Sequence, residues 1–451
     1  MVRMVAYPAS MAHNLRRDLG RVESYAVLIG VLIGAGIFKV TGVAWEMTGP
    51  SVILGYLVLA TAILATSVAY SVFVSTPLGR EPGGEYLHIS RVFGGYRLAF
   101  VGAWLKIISY IGALAYLSRT LGDYVRQLLG GRGNEIVIAV VSLVFFFAIH
   151  VAGVRWFGRI QVWMCVVLGI SIVVLVVPGI FAVRMSNYRP FFTGGVTGFA
   201  AALPPLFFAY AGFESLAHTA GEVRDSTAHL PRVFLRGIVA TTIIYLLMSA
   251  VALGALSPAK LRGSSAPMAD AASQYLPMGA AMLVTIGAIM AITTSLNGTM
   301  LVPSRLAIML AADGLSPRWL ARVSPRTGTP IVGLTLTLAA GLILLLSGRI
   351  SLALSIAVFA LVVLYLIHSI ALLRIPPALA AQVTVRIPRW LQVFAAWLSI
   401  ASMGTLMLLQ LRDRDLMTLI AAWSAIGVVL YVSSRIANRG AAGGMENAEE
   451  T

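Results

Sequence analysis

Long apolar stretches separated by short polar segments run through almost the whole chain. Each stretch is close to the roughly 20 residues that an α-helix needs to cross the hydrocarbon core of a bilayer. The pattern therefore predicts a chain that crosses a membrane many times. It predicts twelve membrane-spanning helices, which lie at 24–45, 51–75, 98–118, 135–154, 160–183, 198–220, 236–256, 278–300, 330–347, 350–373, 390–410 and 416–434.

Composition leads to the same fold class. Of the 451 residues, 59% are hydrophobic and only 11% are charged, whereas a soluble domain carries about 25% charged residues. The loops between the spans are short, so they leave no room for a soluble catalytic domain. The single cysteine, Cys165, lies in an apolar span, which excludes an intrachain disulfide bond. We therefore expect an all-α polytopic membrane protein.

The net charge of +16 reports membrane orientation rather than a nucleic-acid partner. An even number of spans places both termini on one side. The segments on that side hold 21 Lys and Arg residues, against 10 on the other side. Under the positive-inside rule the richer side is the cytoplasm. We therefore expect a multi-pass protein of the cytoplasmic membrane with both termini in the cytoplasm.

The first span contains Gly34-Ala35-Gly36 near its middle. Glycines weaken a helix and let other groups approach the bare backbone. Backbone groups that lose their helical partners at membrane depth are tolerated only inside protein or beside a water-filled cavity. This span therefore predicts a broken helix and a binding site for a small polar solute, although glycines also serve simple close packing of helices.

The sixth span is interrupted as well. Pro204, Pro205, Gly212 and Glu214 all fall within this one crossing, where proline removes helical hydrogen bonds and an acid costs about 2.5–3.5 kcal/mol. Breaks in the first and sixth spans are typical of a five-plus-five inverted repeat. In that architecture, free N–H groups of the half-helices face an anion and free carbonyls face a cation. An α-amino acid zwitterion supplies both charges.

This repeat predicts the organisation of the chain. The units are a cytoplasmic segment at 1–23, a first repeat at 24–183, a second repeat at 198–373, two further helices at 390–434 and a disordered cytoplasmic tail at 435–451.

Several motifs resemble the amino acid–polyamine–organocation superfamily of secondary transporters. Gly34-Ala35-Gly36-Ile37-Phe38 is similar to its G-[AS]-G-I-F signature, and Phe207 to Glu214 resembles its sixth-helix motif. Ser226 stands where the family usually has a proline, and Pro82 lies closer to the following glycines than usual. Further segments with this resemblance follow in the expected order, at 82–86, 221–231 and 304–330.

The resemblance implies a substrate site made mostly of backbone. The substrate carboxylate would meet the N–H groups of 35–37. Its amine would meet carbonyls near Ile33 and in the sixth span, and the aromatic side chains there would line or gate the pocket. The substrate-binding residues expected from the resemblance are Ile33, Gly34, Ala35, Gly36, Ile37, Phe208, Ala209, Tyr210, Gly212 and Phe213.

The coupling ion is not fixed by the sequence. In the family a fifth-helix lysine can replace a sodium ion, but that position falls on Leu168 here. The carbonyls of Gly30 and Ile33 and the hydroxyls of Thr293 and Thr294 would face it, and such oxygens suit a small cation. Three alternatives stay open. These are sodium symport, exchange without an ion, and threonine hydroxyls that merely bond to their own helix.

Two ionisable residues inside spans are candidates for a proton or charge role. Glu214 either accepts hydrogen bonds from unwound backbone, or takes up a proton or balances a cationic substrate. Lys106 either extends its ammonium to the inner interface or takes part in proton coupling.

We therefore expect a secondary transporter that moves amino acids by alternating access. A carrier of cationic amino acids or polyamines and a non-transporting amino acid sensor are the alternatives. The sequence contains no arrangement of nucleophile and base and no metal-ligand spacing, so neither an enzyme nor a catalytic or metal site is expected. We expect no cofactor besides a possible coupling Na⁺ or H⁺. The expected partners are the amino acid and the lipid bilayer, and the oligomeric state stays open.

Overall fold

The computed structural model describes residues 19–81, 83–152, 154–264, 266–324 and 329–449. Within these residues the fold is all-α, as predicted, and the only β-type pairing is an isolated bridge between Leu19 and Val223. The helices are α1 Arg21–Leu32, α2 Thr41–Thr48, α3 Val52–Val74, α4 Gly84–Phe93, α5 Tyr96–Leu128, α6 Glu135–Ala152, α7 Val154–Ala182, α8 Gly195–Phe207, α9 Ser215–His218, α10 Ser226–Ala255, α11 Pro258–Leu261, α12 Pro267–Ala272, α13 Met278–Ala312, α14 Ile331–Leu346, α15 Ile350–Leu373, α16 Pro377–Ala380, α17 Arg389–Gln410 and α18 Arg414–Glu449.

The helices coincide with the predicted spans. Among the described residues, ten helical stretches are long and apolar enough to cross a membrane, which makes this a multi-pass membrane protein. One of these stretches, 21–74, holds the first two predicted spans, and the shorter apolar helix α14 matches the ninth. The exact number of crossings and the inverted repeat stay predictions.

Some helices extend beyond the apolar windows. Helix α5 continues to Leu128, and an Arg119–Asp123 ion pair one turn apart supports its polar end at 3.4 Å. Helix α18 continues to Glu449, where the sequence predicts a disordered tail. Ala, Met and Glu in this last segment are good helix formers, so they can prolong a helix that already exists. Residues 1–18 of the predicted cytoplasmic segment 1–23, Pro82 and residues 325–328 of the motif segments, and residues 450–451 of the predicted tail lie outside the described residues.

The helices form an inner bundle and a periphery. In the most apolar part of each span, 72% of α5 is buried but only 11% of α18. Helix α5 packs closely on α15, where a Cβ added to Gly112 would lie 2.5 Å from the Ala353 carbonyl oxygen. Helix α18 joins the bundle through a stacked indole pair, in which Trp104 and Trp423 each donate an N–H to the other's carbonyl oxygen.

Backbone pairing ties the ends of two helices together on the face where α1 begins, which we call the N-terminal face. The Leu19 N–H donates to the Glu222 carbonyl at 3.0 Å, and the Arg224 N–H donates to the Leu19 carbonyl at 2.9 Å. The segment before α1 is therefore joined to the segment that follows α9. On the same face the Glu222 carboxylate pairs with Arg305 of α13 at 2.8 Å.

Candidate functional site

The first span is interrupted at the predicted glycines. Helix α1 ends at Leu32, and Ile33 (ψ +86°) turns the chain out of the helical path. A π-helical turn from Gly36 to Val40 then leads into α2. We call residues 33–35 the first break. The first N–H groups of a helical turn lack intrahelical acceptors, so the turn that starts at Gly36 presents donors at this point.

Both glycines of the signature are required by close contacts. A Cβ on Gly36 would lie 2.2 Å from the Cα of Ala209, and a Cβ on Gly34 would lie 2.1 Å from the Ser295 hydroxyl oxygen. Real Cβ atoms are not found at such distances, so neither position admits a side chain without movement of backbone or of a packed helix. The glycines therefore bring the first break against the sixth span and against α13.

The sixth span is interrupted later than its prolines suggest. Helix α8 runs through Pro204 and Pro205 and ends at Phe207. A 3₁₀ turn follows, then an extended Ala211 (ψ +144°) and Gly212 at φ +102°, a conformation that favours glycine. We call residues 208–214 the second break. Its position is therefore set by Gly212 and not by the prolines.

A cavity lies between the two breaks. Its volume is about 30 Å³. All of its lining residues are buried except Ala113 and Ala211, which are partly exposed. No lining residue carries a charge, and the polar groups are backbone and four hydroxyls. The lining residues are Val31, Leu32, Gly34, Ala35, Gly36, Ser109, Tyr110, Ala113, Leu117, Phe208, Ala211, Gly212, Ser295, Thr299, Ala357 and Leu361.

The cavity contains about half of the expected substrate residues. Gly34, Ala35, Gly36, Phe208 and Gly212 line it. The others, although next to these in sequence, are not among the lining residues. They are Ile33, Ile37, Ala209, Tyr210 and Phe213.

Two of the predicted aromatic residues are not among the lining residues and pack elsewhere. The Tyr210 hydroxyl donates to the Tyr56 carbonyl at 3.1 Å. The Phe213 ring packs edge-on against Tyr70, with centroids 5.1 Å apart. Phe208 alone of the three lines the cavity, and its ring is held by Tyr116. Tyr210 and Phe213 therefore do not line the cavity in this conformation, and a role for them in gating it stays a prediction.

Tyr245 of α10 connects the two breaks. Its hydroxyl lies 2.5 Å from the Leu32 carbonyl oxygen and 2.6 Å from the Ala209 carbonyl oxygen. The single hydroxyl proton is donated to one of these carbonyls at a time. Tyr245 therefore links the end of α1 to the second break. Sequence reasoning did not find this residue, because one tyrosine in an apolar span carries no distinctive signal.

The oxygen atoms expected around a coupling ion are partly engaged with one another. The Thr294 hydroxyl lies 2.6 Å from the Gly30 carbonyl oxygen and 2.7 Å from the Ala291 carbonyl oxygen of its own helix. The Thr293 hydroxyl donates to Ile289 of its own helix. Leu168 is buried. The α7 side chain closest to Gly30 is Gln161, whose amide nitrogen would lie 2.6 Å from a Cβ placed there.

A group of buried ionisable side chains lies beside the cavity. The Lys106 ammonium is 2.5 Å from Glu85 Oε1, 2.9 Å from His218 Nε2 and 3.6 Å from Glu214 Oε1. Each of these four side chains is at most 2% exposed, and we call them the charged cluster. Lys106 does not extend to the interface as one interpretation expected, because α4 supplies the carboxylate of Glu85 within the bundle.

Glu214 joins the charged cluster to the cavity. Its Oε2 accepts the Gly212 N–H at 3.0 Å, as expected of an acid beside unwound backbone, and also accepts from Tyr365. Its Oε1 accepts from the Tyr110 hydroxyl at 2.7 Å. Because Tyr110 and Gly212 both line the cavity, Glu214 is hydrogen-bonded directly to two residues of the cavity lining.

Sequence reasoning recognised the motif at 82–86, where α4 begins, but assigned no role to its Glu85. Burial alone would raise the pKa of Glu85, but Lys106 and His218 outweigh it and hold this pKa below its usual range. One helical turn after Glu85, burial and the neighbouring His368 lower the pKa of His88. Nδ1 of His88 lies 3.1 Å from Nε2 of His368. An intramembrane lysine needs a partner, and that requirement was the available signal for Glu85.

The comparisons with known proteins can now be set beside this geometry. The family model described as amino acid permease matches residues 24–430, which is most of the chain. The chain belongs to the amino acid permease family. This permease is therefore a membrane transport protein for small-molecule amino acid substrates, and not an enzyme.

Individual relatives of the permease are distant and differ in substrate. The branched-chain amino acid permease BcaP of Bacillus subtilis is 24% identical over 71% of this chain and 72% of its own length. The methylthioribose transporter of the same species is 28% identical, over 74% and 76%. The cationic amino acid transporter 9 of Arabidopsis thaliana is 26% identical over 71% of this chain, but over only 59% of its own length.

Proposed function

We propose that this permease transports neutral amino acids by alternating access, with the substrate zwitterion held between the two breaks. The observation that carries the proposal is the uncharged cavity lined by Gly34, Gly36 and Gly212. No carboxylate lines the cavity to pair with a cationic side chain of the substrate. The backbone donors and acceptors suit the two charges of a zwitterion.

The carboxylate would bind at the turn that begins at Gly36, where N–H groups lack intrahelical acceptors and the helix dipole favours an anion. The amine would bind the carbonyl groups at the end of α1 and at Phe208. The hydroxyls of Ser295 and Thr299 on α13 lie in the same lining and offer further hydrogen bonds to either group.

The substrate side chain would lie towards α5 and α15. Ala113, Leu117, Ala357 and Leu361 form this part of the lining, and burial of apolar side-chain atoms against them is favourable by about 25 cal/mol per Å². The named substrates of BcaP, branched-chain amino acids, have side chains of this kind.

A cationic substrate is the alternative that the names of the Arabidopsis relatives suggest. The carboxylate nearest to the cavity belongs to Glu214, which already accepts from Tyr110, Tyr365 and the Gly212 N–H. Recognition of a second ammonium beside Lys106 would require these bonds to break. We therefore place neutral substrates ahead of cationic ones.

We further propose that sodium does not drive transport. The amide of Gln161 is oriented by Asn297, which donates to its oxygen at 3.1 Å, and its N–H₂ group therefore faces Gly30 and Thr294. A donor group at this position opposes a cation among the same oxygens.

We also propose that the protein lies in the cytoplasmic membrane with both termini in the cytoplasm. The predicted segments on the side of the termini hold more Lys and Arg than those on the other side, and the positive-inside rule places the richer side in the cytoplasm.

Counterflow in proteoliposomes tests the proposal. Vesicles loaded with leucine should take up labelled leucine, and external valine or isoleucine should compete. Lysine, putrescine and isopentylamine, the amine of leucine without its carboxylate, should not compete. Replacing sodium by choline should leave the rate unchanged. Counterflow of lysine but not of leucine would overturn the neutral assignment, and a loss of rate in choline would restore the sodium alternative.

A further inference from the structure

The charged cluster contains one proton fewer than neutrality requires. With neutral imidazoles, its two carboxylates and one ammonium leave a formal charge of −1 in a buried place. Beyond the cluster, the ionisable side chains that face it are hydroxyls and imidazoles. From the elements packed around it these are Tyr70 of α3, His88 of α4, Tyr110 of α5, and Tyr365 and His368 of α15. Unbalanced charge is costly in a buried place, and one added proton would balance it.

His218 is the residue whose hydrogen bonds depend on that proton. Its Nε2 lies 2.9 Å from the Lys106 ammonium and 3.1 Å from Glu85 Oε1. One nitrogen can accept from Lys106 when it carries no proton, or donate to Glu85 when it does, but not both. Gly84 permits this approach, because a Cβ there would lie 2.9 Å from the same nitrogen.

The Lys106 ammonium has a second carboxylate within reach. When His218 turns its nitrogen to Glu85, the N–H that Lys106 gave to His218 is released. Glu214 Oε1, at 3.6 Å, is the nearest acceptor that can take it. This oxygen also accepts from Tyr110, so a stronger bond from Lys106 weakens its hold on the Tyr110 hydroxyl, which lines the cavity.

We propose that His218 is the proton-binding group of a proton-coupled transport cycle, and that Lys106 relays its protonation through Glu214 and Tyr110 to the substrate. The inference rests on the proposed function. One proton from water binds Nε2 of His218 and returns to water on the other side, and no covalent bond of the protein changes. Protonation thereby exchanges the Lys106–His218 bond for a His218–Glu85 bond and frees Tyr110 for the substrate.

The test separates coupling from transport. In proteoliposomes whose voltage is clamped with valinomycin and potassium, a gradient acidic outside by one pH unit should drive leucine accumulation of up to about tenfold, the equivalent of one proton. Leucine entry should also acidify the lumen, as read by trapped pyranine. H218Q should still exchange leucine in counterflow. It should not raise the internal leucine concentration above the external one, and the lumen should not acidify.

H229Q is the matched control, since His229 lies on the N-terminal face and accepts from Arg21 outside the cluster. It should keep the accumulation of the wild type. Full accumulation by H218Q would overturn the proposal. So would leucine entry into wild-type vesicles without acidification, a result that requires no variant to fold. If wild-type counterflow itself is absent, the proposed function fails instead.

Discussion

The cavity and the charged cluster share one tyrosine, yet they are built in opposite ways. The cavity presents backbone groups and hydroxyls and no charge, whereas the cluster places two carboxylates within 4 Å of one ammonium. Tyr110 lines the first and donates to Glu214 of the second. Full charges are therefore paired beside the cavity and not in its lining. On the proposed function, recognition of the zwitterion would be left to the two breaks.

Removal of the ammonium should give the largest effect. Lys106→Met leaves Glu85 and Glu214 buried without their cation, which costs about 3–5 kcal/mol, so we expect a strong fall in the thermal unfolding temperature of the detergent-solubilised protein. Lys39→Met is the control, because its pair with Asp123 is 20% exposed and worth about 0–1 kcal/mol. Adding Glu85→Gln to Lys106→Met should recover part of the loss. Equal unfolding temperatures for the two single variants would contradict a paired cluster.

The glycine contact should be next in size. Gly36→Ala forces apart the two breaks, since its Cβ would lie 2.2 Å from Ala209 Cα, and a misplacement of about 1 Å can cost about 100-fold. We expect leucine counterflow to fall by that order. Gly404→Ala is the matched change in a helix with nothing within 4 Å and should transport normally. A G36A protein with wild-type counterflow would remove the first break from the substrate site.

A smaller effect is expected at the bridge between the breaks. Tyr245→Phe leaves the Ala209 carbonyl without the Tyr245 hydroxyl, whereas the Leu32 carbonyl keeps the Gly34 N–H at 2.9 Å. An unpaired buried acceptor costs about 1–3 kcal/mol, so counterflow should fall by about tenfold. The control is Tyr188→Phe, which removes a similar bond from hydroxyl to carbonyl, to Ala250, at the far end of α10. If both variants lose activity alike, the loss reflects stability and not the bridge.

The smallest effect should distinguish two adjacent threonines. Thr294→Val removes the bond to Gly30 of α1 and should slow counterflow a few-fold, since one such bond contributes about 0.5–1.5 kcal/mol. Thr293→Val removes a hydroxyl that contacts its own helix and the Met164 sulfur of α7 but not α1, and should have little effect. Neither variant should acquire a dependence on sodium. The reverse order of effects would mean that the joint between α1 and α13 lies elsewhere.

The all-α class, the helical segments and both interruptions follow from the sequence because hydropathy and glycine placement act locally. Gly34 and Gly36 were identified as glycines in the middle of an apolar span. Glycine is required there because no side chain fits at either position. The exact second break was less predictable, since Pro204 and Pro205 are absorbed by α8 and only the φ of Gly212 places it.

Side-chain partners required the tertiary fold. Tyr210 and Phe213 lie in the recognised motif but point away from the cavity, since direction within an irregular segment does not follow a helical period. Glu85 and His218 are separated by 133 residues along the chain, so no local pattern relates them to Lys106. The substrate roles of the residues at the breaks stay predictions until the counterflow experiments are made.

The pairing of Leu19 with the segment around Val223 has a consequence for measurements of motion. It fastens the start of α1 to the end of α9 by two backbone hydrogen bonds, so the two half-helices should travel as one body when the N-terminal face opens. Spin labels placed on those two segments would keep a constant separation throughout the cycle. A label on either segment, paired with one on α13 near Arg305, would measure the distance between these half-helices and α13. That distance should increase when the N-terminal face opens in the proposed cycle.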